Sequence, residues 1–210
     1  MTRSVKILYV DDEPFLQMAF VEGMKRDGYD VLGSTGGEDV LDLVRNEKPD
    51  IIILDVMMKP LDGWSILLSI KDYPTFHNMS VIMQTGKSLS LREFSAYGEY
   101  IDDYLLKPLR ISDILCSIQK IVARDEEIAA DIARATENGI EETRILEYTR
   151  AKKKIAVSKN LLKTLSRLYP IQKDEIESLK DAKNPEITAV INDHAKHIED
   201  YEKLKCEIFG

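Results

Sequence analysis

The fold of this chain is decided near the N-terminus, by residues 5–14, which read VKILYVDDEP. A short apolar run ends in two aspartates, and Pro14 stands where a helix would begin, because proline is tolerated at the first helical position. A second apolar run, Ile51-Ile52-Ile53-Leu54, ends at Asp55, and its unbroken hydrophobicity is typical of a strand buried on both faces of a parallel sheet. Both segments indicate strands that carry acidic residues at their carboxyl ends.

Outward from these segments, strand and helix patterns alternate over the first 120 residues. Strands are predicted at 5–10, 30–34, 51–54, 80–84 and within 101–106, and helices at 14–27, 37–47, 63–72, 90–98 and from Ile111 onward. Such alternation predicts an α/β domain whose parallel sheet is covered by helices on both faces.

Strand patterns stop at about residue 123, and the remainder is predicted to be helical. Helices are expected at 111–137, 140–168, 171–182 and from Asn184-Pro185 onward. The last helix carries an apolar stripe that we expect to be buried: Ile187, Val190, Ile191, Ile198, Tyr201, Leu204 and Ile208. The sequence therefore predicts an α/β domain at 1–122 followed by an all-helical module at 123–210.

Composition narrows the function classes. The chain has 210 residues, a net charge of −8 and no apolar run long enough to span a membrane, so we expect no membrane insertion. An acidic chain is poorly suited to general adhesion to nucleic acid. Cys116 and Cys206 are far apart and form no CxxC motif, which argues against a zinc site or a disulfide framework and favours the cytoplasm.

Four polar segments follow predicted strands and should meet at one edge of the sheet, where ligands of such folds bind: Asp11-Asp12, Asp55, Thr85-Gly86 and Lys107-Pro108. Asp11 and Asp12 offer oxygen ligands to a hard cation, and Mg²⁺ suits a site with few protein ligands. The carboxylate of Asp55 is the natural acceptor of a phosphoryl group, whose oxygens Thr85 and Lys107 would contact.

As a set, these residues resemble the receiver domain of two-component response regulators, over residues 4–122. The matching segments are Val10-Asp11-Asp12-Glu13-Pro14, Asp55-Val56-Met57-Met58 through Asp62-Gly63, Thr85-Gly86 and Tyr104-Leu105-Leu106-Lys107-Pro108. The resemblance implies a flavodoxin-like fold with strand order 2-1-3-4-5, and a phosphoryl group received on Asp55 from a cognate histidine kinase. It implies a signalling protein and not an enzyme, with at most self-phosphorylation from small acyl phosphates and slow autodephosphorylation.

The resemblance also assigns roles around the acceptor. Asp12 and Asp55 would bind Mg²⁺ directly, Asp11 would help through water, and the backbone carbonyl of Met57 would complete the protein ligands. Tyr104 matches an aromatic position that moves inward with Thr85, although an ordinary half-buried strand aromatic is the alternative reading.

One departure from the family pattern concerns the loop after the acceptor. Lys59 occupies the position that is usually proline, and Pro60 follows it. We expect this loop to bend differently and Lys59 to add positive charge beside the site. Lys87 and Met57 match positions that tune hydrolysis of the acyl phosphate in this family.

The helical module is predicted to mediate dimerisation or binding of a protein target. Its amphipathic helices would form a bundle within one chain or a coiled coil between two chains, giving a homodimer. Control would pass through the face formed by the helix at 90–98, the strand within 101–106 and the helix from Ile111. An output enzyme is the weakest hypothesis, because we find no phosphate loop or nucleophile–base pair in this half.

The alternative output is DNA binding by the basic stretch 150–167, since no acidic residue occurs from Tyr148 to Lys173. A solvated or acid-paired helix face is the favoured interpretation of that stretch. His194 and His197 lie three residues apart, which would also suit a metal or a phosphorelay histidine, but His194 falls on the apolar stripe and is predicted to be structural.

Overall fold

The computed structural model describes residues 5–37, 39–73, 76, 79–87, 90–168 and 185–210. Its first part contains a five-stranded parallel sheet of order β2-β1-β3-β4-β5. The strands are β1 (Lys6–Val10), β2 (Asp30–Ser34), β3 (Ile51–Asp55), β4 (Ser80–Thr85) and β5 (Asp103–Leu106). The predicted fold class and strand order are thus confirmed.

Helices connect the strands as the alternating pattern predicted. They are α1 (Pro14–Arg26), α2 (Asp39–Glu47), α3 (Gly63–Lys71) and α4 (Leu91–Tyr97), which a single 3₁₀ turn (Gly98–Tyr100) follows. Pro14 opens α1, and the side chain of Asp62 caps α3 by accepting a hydrogen bond from the amide of Ser65 at 2.8 Å.

The centre of the sheet is the core of this part. All five residues of β3 and all six residues of β4 are buried, as expected for inner strands covered on both faces. The register pairs Asp55 with Gln84 and Thr85 with Leu106, so the carboxyl ends of β3, β4 and β5 finish side by side. This alignment places the residues after each strand at a common edge.

Three long helices form the rest of the described chain: α5 (Ile111–Glu137), α6 (Glu142–Leu168) and α7 (Pro185–Phe209). The prediction that α5 is unbroken from 111 to 137 is correct, and Gly139, with φ of +72°, follows its end. The predicted helix at 171–182 lies outside the described residues.

The chain divides into two compact units. The first contains Met1–Ser88 and Tyr100–Gln119, and the second contains Leu89–Glu99 and Lys120–Gly210, so α4 groups with the second unit and α5 continues through the point of division.

An aromatic and ionic cluster forms one end of the helical unit. The buried ring of Tyr148 stacks on Tyr201 at 5.4 Å and meets Phe209 edge-on at 5.3 Å. The Tyr148 hydroxyl donates to Asp131 at 2.7 Å, and Lys152 donates to the same carboxylate at 2.6 Å. Burial alone would raise the pKa of Asp131, but the hydrogen bonds from Lys152 and Tyr148 outweigh it and lower that pKa.

The predicted stripe on α7 is correct in part. Ile191 and Ile208 are buried, and Tyr201 and Leu204 pack against the cluster around Tyr148. Ile198 is 41% exposed, so its expected burial is wrong. Helical spacing places Ile198 on the same side of α7 as the buried Ile191, so periodicity alone does not account for its exposure. The side chains of Ile187 and Val190 lie outside the description.

His194 has the structural environment that its place on the stripe predicted. It is buried, and its Nδ1 lies 2.6 Å from the hydroxyl of Ser158 on α6. Burial lowers its pKa, and the charges of His197 and Lys159 act in the same direction.

Among the residues that the structure describes, we find no helix with the length and apolar content of a membrane span.

Candidate functional site

The sheet edge brings the predicted polar residues together around one ammonium group. Lys107 follows β5, and its Nζ lies 2.6 Å from Oδ2 of Asp55, the last residue of β3, and 2.8 Å from Oδ2 of Asp11, which follows β1. These residues are 52 and 96 positions apart in the chain from Lys107. Strand order explains the meeting, because the carboxyl ends of parallel strands share one edge.

Lys107 is a charged group held between two acids. Burial alone would lower its pKa, but the hydrogen bonds to Asp11 and Asp55, together with their negative charge, outweigh burial and raise it. The lysine therefore stays an ammonium ion at neutral pH and presents positive charge to the acceptor carboxylate.

Asp55 has both oxygens engaged. Oδ1 accepts a hydrogen bond from the Met57 amide at 3.0 Å, Oδ2 accepts from Lys107, and only 6% of the side chain is exposed. The carboxylate is therefore held in one orientation at the end of β3, with a cation against one oxygen.

The acidic cluster can hold a hard cation. Asp11, Asp12 and Asp55 each offer a carboxylate oxygen, and these three atoms lie within 4.8 Å of one another. At an effective dielectric of 20, each pair repels by about 3 kcal/mol or more, and one ammonium balances only one of three charges. A divalent cation with oxygen preference matches this donor set.

The loop with Lys59 contacts the cluster through its backbone. The Lys59 amide donates to Oδ2 of Asp12 at 3.2 Å, and the peptide bonds Lys59–Pro60 and Lys107–Pro108 are both cis. The residue that departs from the family pattern thus supplies a donor to one of the three carboxylates.

Thr85 and Tyr104 meet at the same short loop. The fully buried Thr85 accepts a hydrogen bond at Oγ1 from the Lys87 amide at 3.2 Å. The hydroxyl of the buried Tyr104 donates to the Lys87 carbonyl at 3.0 Å. One residue, Lys87, therefore connects the candidate phosphoryl contact to the candidate switch aromatic.

Sequence reasoning missed two residues of the site, Tyr9 in β1 and Gln84 in β4. Both side chains are fully buried, and the Gln84 amide donates to Oδ2 of Asp11 at 3.2 Å. Burial, with the negative charges of Asp11 and Asp55, raises the pKa of Tyr9 far above its ordinary value, although the hydrogen bond with Gln84 opposes this. The available signal was a glutamine at the end of the otherwise apolar run Val81-Ile82-Met83.

The fold and the residues at this edge of the sheet define the class of protein. It is a flavodoxin-like α/β domain with an acidic cluster at the strand ends and a lysine that contacts the carboxylate of Asp55. The chain belongs to the response regulator receiver domain family, whose model matches residues 7–119. A second family model, Metanogen output domain 2, matches residues 124–209. The recognition of a response regulator is therefore confirmed.

Individual relatives agree over the receiver region. The alkaline phosphatase synthesis transcriptional regulatory protein PhoP of Bacillus subtilis is 31% identical over 121 residues, which are 58% of this chain and 50% of PhoP. The chain thus spans about half the length of this curated relative.

Solved structures show the same fold. A CheY-like receiver protein from Methanospirillum hungatei is 25% identical, with a TM-score of 0.53 over 60% of this chain and 99% of that one. The receiver domain of Francisella response regulator 1452 is 24% identical, with a TM-score of 0.53 over 58% of this chain and 99% of that one.

Proposed function

We propose that the chain is a response regulator that accepts a phosphoryl group on Asp55 from a histidine kinase in a Mg²⁺-dependent reaction. The observation that carries this proposal is the Lys107 ammonium, 2.6 Å from Asp55 and 2.8 Å from Asp11. Transfer of a phosphoryl group to a carboxylate needs positive charge beside the incoming phosphoryl oxygens. Lys107 supplies such a charge beside the buried Asp55, and the two further carboxylates would hold a cation that supplies more.

Three carboxylates within 4.8 Å fit the cation that the family implies. Asp12 and Asp55 would be direct ligands, Asp11 would act through water, and the Met57 carbonyl would complete the set. The bound cation would neutralise charge on the phosphoryl oxygens.

In the proposed transfer, a carboxylate oxygen of Asp55 forms a bond to phosphorus while the bond from phosphorus to the donor imidazole nitrogen breaks. The imidazole leaves with the bonding electrons and later takes a proton, and Asp55 becomes an acyl phosphate. Lys107 keeps its proton and contacts a phosphoryl oxygen, and the Thr85 hydroxyl contacts another. With acetyl phosphate as donor, acetate is the leaving group.

We propose that Thr85 and Tyr104 are the switch. Their shared partner Lys87 gives them a short hydrogen-bonded connection, so that a movement of Thr85 toward a phosphoryl group would disturb the bond from Tyr104. The change would then spread over the α4–β5–α5 face, which we propose as the two-state surface. Because α5 is one continuous helix from Ile111 to Glu137, it is suited to relay the change.

The receiver would span residues 1–122 and the output module residues 123–210, in accord with family matches at 7–119 and 124–209. We propose that the output module makes a homodimer or binds a protein target. Its long helices and partly exposed apolar residues, such as Ile132, Leu146 and Ile198, support this assignment. Two free exposed cysteines support a reducing cytoplasm as the compartment.

The phosphoacceptor proposal is tested by intact mass after incubation with Mg²⁺ and acetyl phosphate. The wild-type chain should gain one phosphoryl group, and Asp55→Asn should gain none. Asp72→Asn is the matched control, because it makes the same chemical change at an exposed residue that directly follows α3. A phosphoryl group on Asp55→Asn, or none on the wild type, would refute the assignment.

Truncation after residue 122 tests the output module. The shortened chain should still take up phosphate but should no longer self-associate in sedimentation experiments. If the isolated receiver dimerises as tightly as the whole chain, the dimerisation role assigned to the module is wrong.

DNA binding through residues 150–167 is the alternative output. It is favoured by the exposed lysines Lys154, Lys159 and Lys163 on α6. A gel-shift series across salt decides: tight specific binding with a steep salt slope favours DNA, and no binding at low salt excludes it.

A further inference from the structure

A buried polar pair lies directly behind the acidic cluster. Tyr9 and Gln84 are both 0% exposed, and they come from β1 and β4. The Tyr9 hydroxyl lies 2.9 Å from the amide nitrogen of Gln84 and 3.2 Å from its amide oxygen. The Tyr9 ring is itself fixed, because it stacks on Phe20 of α1 with centroids 5.3 Å apart.

The chemistry of Asp11 fixes the orientation of the Gln84 amide. An ionised carboxylate only accepts hydrogen bonds, so the amide nitrogen of Gln84 is the group that faces it, at 3.2 Å. Asp11, 1% exposed, then has donors from three parts of the chain: the Glu13 amide on Oδ1 at 3.1 Å, and Lys107 and Gln84 on Oδ2.

We propose that Gln84, held in place by Tyr9, is a positioning residue that fixes the carboxylate of Asp11 for Mg²⁺ binding. This inference rests on the proposed function of the cluster. Lys107 is divided between Asp11 and Asp55 and cannot by itself set the orientation of either. The neutral amide of Gln84 holds Asp11 without adding charge that would compete with the cation, and groups that orient metal ligands in this way strengthen metal binding.

The test is Mg²⁺ titration of the full chain by calorimetry, with the phosphorylation rate from acetyl phosphate measured across Mg²⁺ concentrations. Gln84→Met keeps the unbranched shape and loses the donor. It should raise the Mg²⁺ dissociation constant severalfold, up to about tenfold; this is the lower end of the loss seen around metal sites, because Asp11 would act on the cation through water. The Mg²⁺ concentration that gives half of the maximal phosphorylation rate should rise by the same factor as the dissociation constant.

Tyr9→Phe should shift the Mg²⁺ dissociation constant in the same direction by a smaller factor, because the ring still stacks and only the hydroxyl is lost. Ile82→Val is the matched control: Ile82 is a fully buried residue of the same strand, so its truncation costs stability without touching Asp11. It should bind Mg²⁺ as the wild type does.

A double-mutant cycle separates positioning from general damage. In an Asp11→Asn background, Gln84→Met should cause little further loss of Mg²⁺ affinity, since its partner carboxylate is already absent. An unchanged dissociation constant in Gln84→Met, an equal loss in both backgrounds, or a loss of the same size in Ile82→Val would overturn the inference. A wild-type chain that neither binds Mg²⁺ nor takes up phosphate would instead refute the proposed function.

Discussion

Gly63 lies where α3 begins, against the backbone that carries the proposed acceptor. Its amide donates to the Val56 carbonyl at 3.0 Å. A Cβ at this position would meet the Asp55 carbonyl oxygen at 2.2 Å, and the Asp55 carbonyl carbon and the Val56 Cα both at 2.9 Å. All three are backbone atoms, so no side-chain rotation can relieve the contact. Gly63→Ala must therefore displace the end of β3, the start of α3, or both.

The size of the displacement follows from these distances. Ordinary van der Waals contact begins at 3.4 Å, so the 2.2 Å contact requires a shift of about 1.2 Å. Overpacking of this kind costs about 2 kcal/mol, which corresponds to a fall in melting temperature of roughly 5 to 10 °C. Because a misplacement of about 1 Å near reacting atoms can cost up to about 100-fold in rate, phosphorylation of Asp55 should also slow.

The measurements are thermal denaturation of the full chain and the rate of phosphate uptake from acetyl phosphate with Mg²⁺. Gly86→Ala is the control for stability, because a Cβ there has no atom within 4 Å. It should change the free energy of unfolding by less than about 1 kcal/mol. If Gly63→Ala melts with the wild type and takes up phosphate at the wild-type rate, the close approach of Gly63 to Asp55 is not present in solution.

Three further predictions concern the helical unit. Burial keeps the pKa of His194 below 6.5, so as the pH falls below 6.5 this histidine takes up a proton more readily in the unfolded chain than in the folded one. The melting temperature should therefore fall as the pH is lowered below 6.5, and it should fall less in His194→Gln. Lys152→Met, which strips Asp131 of its nearest cation, should cost about 2 kcal/mol in urea denaturation, whereas the exposed Lys154→Met should cost under about 0.5 kcal/mol; equal losses would contradict the ion-pair argument. Ile208→Glu should unfold the helical unit, seen as a loss of helical signal in circular dichroism, and Ile198→Glu should not. If only Ile198→Glu unfolded the unit, the buried face of α7 described above would be wrong.

Local patterns were sufficient for the architecture of the receiver. Each of the five strands was predicted within three residues of its observed ends, because buried parallel strands are continuous apolar runs bounded by turn residues. Lys107 and Asp55 could be placed at one edge because each stands at the carboxyl end of a predicted strand, and the carboxyl ends of parallel strands share an edge.

The packing of the helical unit was harder to predict from the sequence. The stripe on α7 predicted burial for Ile198, which is 41% exposed, because helical periodicity gives the direction of an apolar face but not which of its residues a neighbouring helix covers. How far that face is covered depends on which helices pack beside it, and no local pattern in α7 encodes its neighbours.

The sequence by itself determined the alternation of strands and helices and the edge at which the polar residues gather, since both depend on periodicity and on the residues at strand ends. The resemblance of those residues to receiver domains added the family and the strand order that the family implies. Only the tertiary structure decided that Tyr9 reaches Gln84, that Gln84 reaches Asp11 and that Gly63 touches the backbone of Asp55. Those contacts join residues 73, 75 and 8 positions apart through side-chain direction and close packing, which are set when the layers of the fold come together.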